Sequence, residues 1–317
     1  MTDTSLAPEE RLDDWGSLLE RLNRQSVDKH FEAYRDVPWD DPAFAIDPAD
    51  PRWEASEDEP LGSTEWYRRQ PPDVRARIGL QSTAMAMKAG LQFENVLKRG
   101  LLEYTMELPN GASEFRYAYH ELIEEAQHSL MFQEFVNRAG LAVEGLPKVG
   151  RWAAGRVVKL GRRFPELFFV FVLGGEDPID YVQRQTLRSG RELHPLLERI
   201  MRIHVTEEAR HLSFARHFLK RRVPELSRWR RFRLAIGAPL ILGVMARIMM
   251  QVPPQMIWEY RIPLRVVREA YYRNPAHRRE VVASLSKVTR LLDELGLVTP
   301  TTRYLWRFFG ISPASTA

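Results

Sequence analysis

The chain carries one short pattern twice: residues 120–128 read HELIEEAQH, and residues 204–211 read HVTEEARH. Both contain Glu-Glu-Ala-x-His, so Glu125 and Glu208 stand three residues before His128 and His211. Residues three apart on a helix lie side by side on one face, so this carboxylate and this imidazole can bind one metal ion together. A single Glu-x-x-His is a weak signal, but two matching copies on separate segments indicate a metal site.

The sequence around both copies has the period of helices. Apolar residues recur at helical spacing with little Gly or Pro, and we find no strand-like alternation of any length. Pro178 interrupts one of these stretches and is predicted to kink or restart its helix. The sequence therefore predicts an all-α fold, with helices at about 8–24, 74–107, 114–138, 165–176, 195–221, 228–250, 262–272 and 275–295.

Ferritin-like di-iron bundles complete such a site with one Glu from each of two further helices. Glu94 fits the helix before the first copy, because it lies in the largely apolar segment 91–97. Glu176 fits the helix between the copies, because it follows the apolar stretch 168–175 and is costly to bury unless it is paired or bound to metal. We therefore expect a ferritin-like four-helix-bundle core with additional helices and an irregular N-terminal arm.

Two further side chains share the helical face of the ligands. His204 lies on the stripe of Glu208 and His211, so geometry alone leaves it as a seventh ligand or a structural histidine. Glu121 occupies the corresponding place beside Glu125 and is interpreted as a residue behind the ligands. The acids that lie nearer helix ends, and are therefore poorer candidates, are Glu103, Glu107 and Glu166.

The donor types indicate which metal such a site would take. The chain has no cysteine, which excludes disulfides, thiolate zinc sites and iron–sulfur clusters. Carboxylate oxygens and imidazole nitrogens suit iron or manganese. Two divalent cations would neutralise the four carboxylates, so the sequence predicts two metal ions.

The first 75 residues or so differ in composition from the rest. Eight of the 21 prolines lie within residues 1–72 and residues 36–59 are acidic, yet aromatic residues are interleaved throughout. A disordered tail would lack so many aromatic side chains. We expect residues 1–75 to form an N-terminal helix and an arm packed on the body, with a flexible linker as the alternative. Residues 76–317 are expected to form the di-metal helical domain.

Composition and charge limit the kinds of partner that the sequence predicts and the location that it predicts in the cell. The 46 Lys and Arg against 42 Asp and Glu give a net charge of +4, which by itself predicts no nucleic-acid partner. The start of the chain lacks a secretory pattern, and the apolar stretch 234–246 is shorter than the about 20 residues that span a bilayer. We expect a cytoplasmic protein with no integral membrane segment. The basic stretches 148–163 and 216–233 are interpreted as exposed, with contact between 216–233 and acidic lipid or a redox partner as the alternative.

These motifs resemble the p-aminobenzoate N-oxygenase (AurF-like) family of non-haem di-iron enzymes. The resemblance rests on Glu94, Glu125-x-x-His128, Glu176 and His204-x3-Glu208-x-x-His211. The third histidine is the specific part, because ordinary ferritin-like proteins have only two, and the resemblance therefore implies that His204 is a ligand. Residues 25–31 also resemble the N-terminal arm of that family.

The resemblance implies a homodimeric oxygenase that uses dioxygen as co-substrate at two iron ions, with manganese as the alternative metal. Known members oxidise an arylamine, which implies a small-molecule amine substrate and an external electron donor of the reductase or ferredoxin type. It implies no catalytic residue beyond the metal ligands. Two alternatives stay open: a di-iron hydroxylase or desaturase of an aliphatic or acyl substrate, and a metal-binding or iron-storage bundle without substrate oxidation.

Overall fold

The computed structural model describes residues 8–146 and 148–312, and within them it confirms the all-α fold, since they form helices and no strand. The α-helices are α1 Pro8–Asp28, α2 Glu65–Arg68, α3 Pro72–Thr105, α4 Ser113–Ala139, α5 Lys148–Val158, α6 Leu160–Arg163, α7 Pro165–Arg188, α8 Pro195–Arg222, α9 Arg228–Met249, α10 Pro254–Glu259, α11 Leu264–Val267, α12 Pro275–Ser284, α13 Ser286–Glu294 and α14 Arg303–Phe309. Short 3₁₀ turns lie at Pro42–Phe44, Pro51–Trp53 and Val223–Glu225, and a π-helical turn lies at Arg268–Tyr272.

The four longest helices, α3, α4, α7 and α8, form the predicted ferritin-like bundle. α3 packs along α4 and α7 packs along α8, while smaller contacts join α3 to α7 and α4 to α8. Every residue of α7 from Phe168 to Pro178 is buried, because its sequence there is largely apolar all round. An ionisable side chain that points into this core needs a charged or hydrogen-bonding partner. The acids and histidines that are buried here are therefore expected to lie next to one another.

Two glycines of α7 allow its neighbours to approach closely just before Glu176. A Cβ added to Gly175 would lie 2.1 Å from the ring of Phe93 in α3, and one added to Gly174 would lie 2.6 Å from the side chain of Leu242 in α9. α3 and α9 therefore both contact α7 at this level. Because Glu94 follows Phe93, the contact at Gly175 also brings the helix of Glu94 close to that of Glu176.

The described part of the N-terminal arm lies on the bundle through aromatic side chains. α1 packs on α4 and α8, and the indole of Trp15 donates a 2.8 Å hydrogen bond to Glu114. Trp53 lies edge-on to Phe135 and stacks on His194, with ring centroids 4.3 Å apart in the stacked pair. Residues 1–7, 147 and 313–317 of the two predicted units lie outside the described residues.

Some helices differ from the prediction. α7 continues through Pro178 without a break, because burial of this helix by α3, α8 and α9 outweighs the cost of about 3 kcal/mol for an interior proline. The segment 148–163, expected to be exposed, forms α5 and α6, which pack on α3 and bury Val158 and Gly161. The predicted helix 275–295 divides at Leu285 into α12 and α13.

Candidate metal centre

All seven predicted ligands meet at one buried place inside the bundle. Each of these residues is at most 1% exposed. They come from all four bundle helices: Glu94 from α3, Glu125 and His128 from α4, Glu176 from α7, and His204, Glu208 and His211 from α8. The helical spacing of three and four residues turns the paired donors on α4 and on α8 toward the same side.

The two Glu-x-x-His pairs face each other between α4 and α8. His211 Nδ1 lies 3.1 Å from Oε1 of Glu125 and 3.2 Å from Oε1 of Glu208. His128 Nδ1 lies 3.6 Å from Oε2 of Glu125 and 3.6 Å from Oε1 of Glu208. Each imidazole therefore presents Nδ1 to one carboxylate of its own helix and to one of the opposite helix.

The third histidine lies on the side of the cluster nearest α3. His204 Nε2 lies 3.7 Å from Oε1 of Glu208 and 4.0 Å from Oε1 of Glu94, and its ring centroid lies 4.7 Å from that of His128. Three sets of donor atoms lie within 4.8 Å of one another: Glu94, His128 and His204; Glu125, His128 and Glu208; Glu176, His204 and Glu208. Because these sets share residues, the arrangement suits two adjacent ions better than one.

Several carboxylate oxygens in the cluster have no hydrogen-bond partner among the described residues. They are both oxygens of Glu125 and of Glu176, Oε1 of Glu94 and Oε2 of Glu208. An unpaired carboxylate in a dry interior is strongly unfavourable, and a bound cation removes that penalty. Oxygen and nitrogen donors without sulfur match iron or manganese. The residues present therefore fit a pair of divalent metal ions.

Two further acids hold the imidazoles from their other side. His128 Nε2 lies 2.8 Å from Oε2 of Glu207 on α8, and His211 Nε2 lies 2.8 Å from Oε2 of Glu124 on α4. A carboxylate can only accept, so each Nε2 donates its proton and leaves Nδ1 for a metal ion. The arrangement is reciprocal, because each helix supplies the acid that orients the histidine of the other.

Arg210 and the N-terminal arm complete this outer layer. Arg210 Nη2 lies 2.9 Å from Oε1 of Glu124 and 3.6 Å from Oε1 of Glu207, and it donates a 3.3 Å hydrogen bond to the carbonyl of Lys29. The backbone N–H of Phe31 donates to Oε1 of Glu207 at 3.3 Å. The segment after α1 therefore covers the acids that orient the two histidines.

A chain of side chains also leads to Glu94 from the side of α3 and α4. Ser129 Oγ donates a 2.6 Å hydrogen bond to Oε2 of Glu94. The ammonium of Lys98 donates in turn to Ser129 Oγ and, at 3.0 Å, to the carbonyl of Glu125. These contacts fix one oxygen of Glu94 and leave the other facing the cluster.

In the metal-free protein, burial keeps several of these acids protonated. Burial raises the pKa of Glu94 to about 8, and the charge of Glu125 adds to the effect. Burial likewise raises the pKa of Glu176 well above its usual range, helped by neighbouring carboxylates. For Glu125 burial also opposes ionisation, but the adjacent imidazoles of His128 and His211 lower its pKa overall. Metal ions would therefore displace protons when they bind.

Glu121 is a buried acid one turn before Glu125. It is 1% exposed, and its Oε2 has no hydrogen-bond partner in the described part of the chain. Burial raises the pKa of Glu121 to about 8, although the neighbouring His211 acts in the opposite direction. It is a neutral acid at pH 7 on the face of α4 that carries the predicted ligands.

The acids judged poorer candidates lie elsewhere and have their own partners. Glu166 is buried, but its Oε2 lies 3.1 Å from Nη2 of Arg230. Glu103 and Glu107 lie 3.5 and 4.0 Å from Nε of Arg162. None of the three belongs to the clusters of possible metal donors among the described residues.

Sequence reasoning missed the roles of Glu124, Glu207 and Arg210. The signal was present, since both copies of the motif carry a doubled Glu. Adjacent residues of a helix point about 100° apart, so the first Glu of each pair cannot share the direction of the second. It reaches the neighbouring helix, where its partner is the histidine of the other copy.

Comparison with known proteins gives one family and several relatives. A family model described as P-aminobenzoate N-oxygenase AurF matches residues 14–296, which include all seven converging side chains. Uncharacterised proteins of Mycobacterium tuberculosis (strains CDC 1551 / Oshkosh and ATCC 25618 / H37Rv) and Mycobacterium bovis are each 41% identical to this chain over 291 residues. The alignments cover 92% of this chain and 85% of each relative. No solved structure gives a significant match.

Proposed function

This chain belongs to the p-aminobenzoate N-oxygenase AurF family, and from that premise we propose that it is a non-haem di-iron oxygenase that oxidises an amine of the arylamine type. The observation that carries the proposal is the convergence of four carboxylates and three imidazoles, all buried, inside the bundle. The third histidine, His204, supports this assignment over an ordinary ferritin-like bundle.

Two iron ions held by the seven side chains would supply the oxygen-activating redox chemistry that amino-acid side chains lack. The protein itself holds and orients the atoms that would bind the metal ions. Glu207 and Glu124 keep the Nε2 protons of His128 and His211 in place and so direct both Nδ1 atoms inward. Glu121 holds a proton beside the cluster at neutral pH.

Aromatic side chains lie next to the proposed ligands and exclude water. The ring centroid of Phe132 lies 5.4 Å from that of His204. Phe93, adjacent to Glu94 in the chain, lies with its ring centroid 4.9 Å from that of Phe171. These apolar surroundings disfavour hydrated ions beside the cluster, which supports substrate oxidation over iron storage.

The overall reaction needs an external source of electrons. Conversion of an amine N–H to N–OH by dioxygen inserts one oxygen atom, releases the other as water, and consumes two electrons and two protons. The chain has no cysteine, so it cannot ligate an iron–sulfur relay of its own. We therefore propose a separate reductase or ferredoxin as the electron donor.

Anaerobic loading with ferrous iron, metal counting, and reaction with ¹⁸O₂ and p-aminobenzoate test the proposal. We expect two irons per chain and an ¹⁸O-labelled hydroxylamine or nitro product when a chemical reductant is present. The Glu125→Ala variant is the matched control and should give neither. Two bound irons without amine oxidation would contradict the amine as substrate, whereas growth of a mineral core beyond two irons would favour storage.

An aliphatic or acyl substrate is the other enzymatic candidate. The apolar stretch 168–175 and the contact between Gly174 and Leu242 of α9 place aliphatic side chains close to Glu176. A fatty acid presented in the same ¹⁸O₂ reaction distinguishes the two. Labelled hydroxy acid or a new double bond, with p-aminobenzoate unchanged, would select this candidate.

A further inference from the structure

The outward side of α9 carries a continuous apolar stripe. Its members recur every three or four residues and are exposed or half-buried: Trp229, Phe232, Ile236, Leu240, Val244 and Ile248. At about 1.5 Å per residue the stripe is about 28 Å long. Tyr304 and Phe308 of α14, which packs on α9, are 75% and 69% exposed and widen it.

The opposite side of α9 belongs to the core. Leu234, Ala238 and Leu242 are fully buried, and α9 packs along α7. By length and composition alone the segment Arg228–Glu259 could cross a membrane. Because α9 is bound to the bundle along one side, it is instead a surface helix that carries a second, outward apolar face.

The arginines around the stripe are the second observation. Five of them are exposed and form no ion pair among the described residues: Arg228, Arg233, Arg247, Arg303 and Arg307. Two other arginines of α9 do have partners in the protein: Arg230 pairs with Glu166, and Arg231 donates to the carbonyl of Leu295. No Asp or Glu occurs in residues 226–258 or 297–317.

We propose that the α9–α14 face binds the surface of a bilayer that contains anionic lipids. Exposed aromatic and aliphatic side chains next to arginines that have no carboxylate partner in the described part of the chain match the composition of helices that lie in a membrane interface. A second copy of the chain fits less well, because pairing of this face with itself would bring arginine to arginine with no carboxylate between them. Anionic headgroups supply the counter-charge that the face lacks.

Vesicle flotation with the full-length, metal-loaded protein tests this proposal. We expect binding to vesicles with about one-third phosphatidylglycerol, little binding to pure phosphatidylcholine, and release by high salt. The Arg228→Gln/Arg307→Gln variant should partition about 30-fold less, since each basic side chain contributes about 1 kcal/mol near an anionic surface. The Leu240→Glu/Val244→Glu variant should lose binding by at least about tenfold.

The apolar face of α4 offers a matched control. Ile123 and Leu130 are 50% and 43% exposed, close to Val244 and Leu240 at 50% and 41%. The Ile123→Glu/Leu130→Glu variant should therefore bind vesicles like the wild type, and helicity and metal content should be equal in all variants. Equal binding to neutral vesicles, or no flotation with anionic ones, would overturn the proposal. The proposal would also be overturned if the wild-type protein formed a dimer that did not float with vesicles and that only the Leu240→Glu/Val244→Glu substitutions dissociated.

Discussion

Glu94 and Glu103 lie on the same helix, but only Glu94 reaches the cluster, while Glu103 lies near Arg162. We expect Glu94→Ala to lose most of its bound metal and Glu103→Ala to keep it. Glu125→Ala and His211→Ala should behave like Glu94→Ala, because each removes one of the seven converging donors. Iron per chain after anaerobic loading and desalting measures this. Full occupancy in Glu94→Ala with an unchanged circular dichroism spectrum would contradict the assignment.

The reciprocal acids make a second prediction at the residue scale. Glu207→Gln keeps the shape of the side chain but removes the charge that holds the proton on His128 Nε2. Loss of such an outer partner commonly costs about 10–100-fold in metal affinity, and we expect that range here. Competition with a chelator measures it. Glu198→Gln is the control, since Glu198 lies on the exposed side of α8 and pairs with Arg202.

Residue spacing predicted which side chains meet, because donors three apart on a helix must share a face. It did not predict what lies behind them. Whether Glu124 faces solvent or His211 depends on the rotation of α4 against α8, which a single helix does not encode. The same limit applies to Arg210, whose contact with the carbonyl of Lys29 depends on how the arm returns over the bundle.

At the scale of helices, two glycines in the segment 148–163 should respond oppositely to substitution. A Cβ on Gly161 would lie 1.9 Å from the carbonyl oxygen of Gly100 in α3, whereas one on Gly155 meets nothing within 4 Å. We expect Gly161→Ala to destabilise the protein by about 1–3 kcal/mol, because backbone must move. Gly155→Ala should stabilise it by up to about 1 kcal/mol through helix propensity.

Urea denaturation of both variants measures these changes in the free energy of unfolding. Equal stability of Gly161→Ala and the wild type would show that α6 does not need its close approach to α3. The prediction from sequence missed α5 and α6 because Gly150, Gly155, Gly161 and frequent basic residues weaken the apolar period there. It also expected the helix to kink or restart at Pro178, and the restart does not occur, since local propensity does not include the burial of α7 on several sides.

At the scale of the whole molecule, we expect the stability of the metal-free bundle to depend strongly on pH. The pKa values of Glu94 and Glu121 are raised by burial from 4.5 to about 8. A group whose pKa is higher in the folded than in the unfolded protein stabilises the fold at pH values below its unfolded pKa. That contribution is lost as the pH rises through its folded pKa. The pKa values of His128 and His211 are also raised, although burial acts in the opposite direction, so both histidines change the stability with pH in the same direction as the two glutamates. The contributions of the two glutamates are lost progressively between about pH 4.5 and about pH 8, and within this window we expect the Tm of metal-free protein to fall from about pH 6.5 to about pH 8.

Differential scanning calorimetry with and without a chelator measures this dependence. Metal-loaded protein should keep its Tm over the same range, because cations replace the protons, and each site adds about 2.7 kcal/mol at a hundredfold excess of metal over Kd. Glu121→Gln should flatten the slope of the metal-free form without loss of metal. A metal-free Tm that rises with pH would contradict the prediction.

The crossed bonds between α4 and α8 also bear on how the chain assembles. Sliding one helix past the other by a single turn, about 5.4 Å, would separate His128 from Glu207 and His211 from Glu124 together. Both imidazoles would then lose their direction, and the pocket would lose its affinity for cations. A chain with α4 and α8 out of register would therefore bind cations poorly, and metal content would report whether these two segments, far apart in the sequence, are correctly aligned.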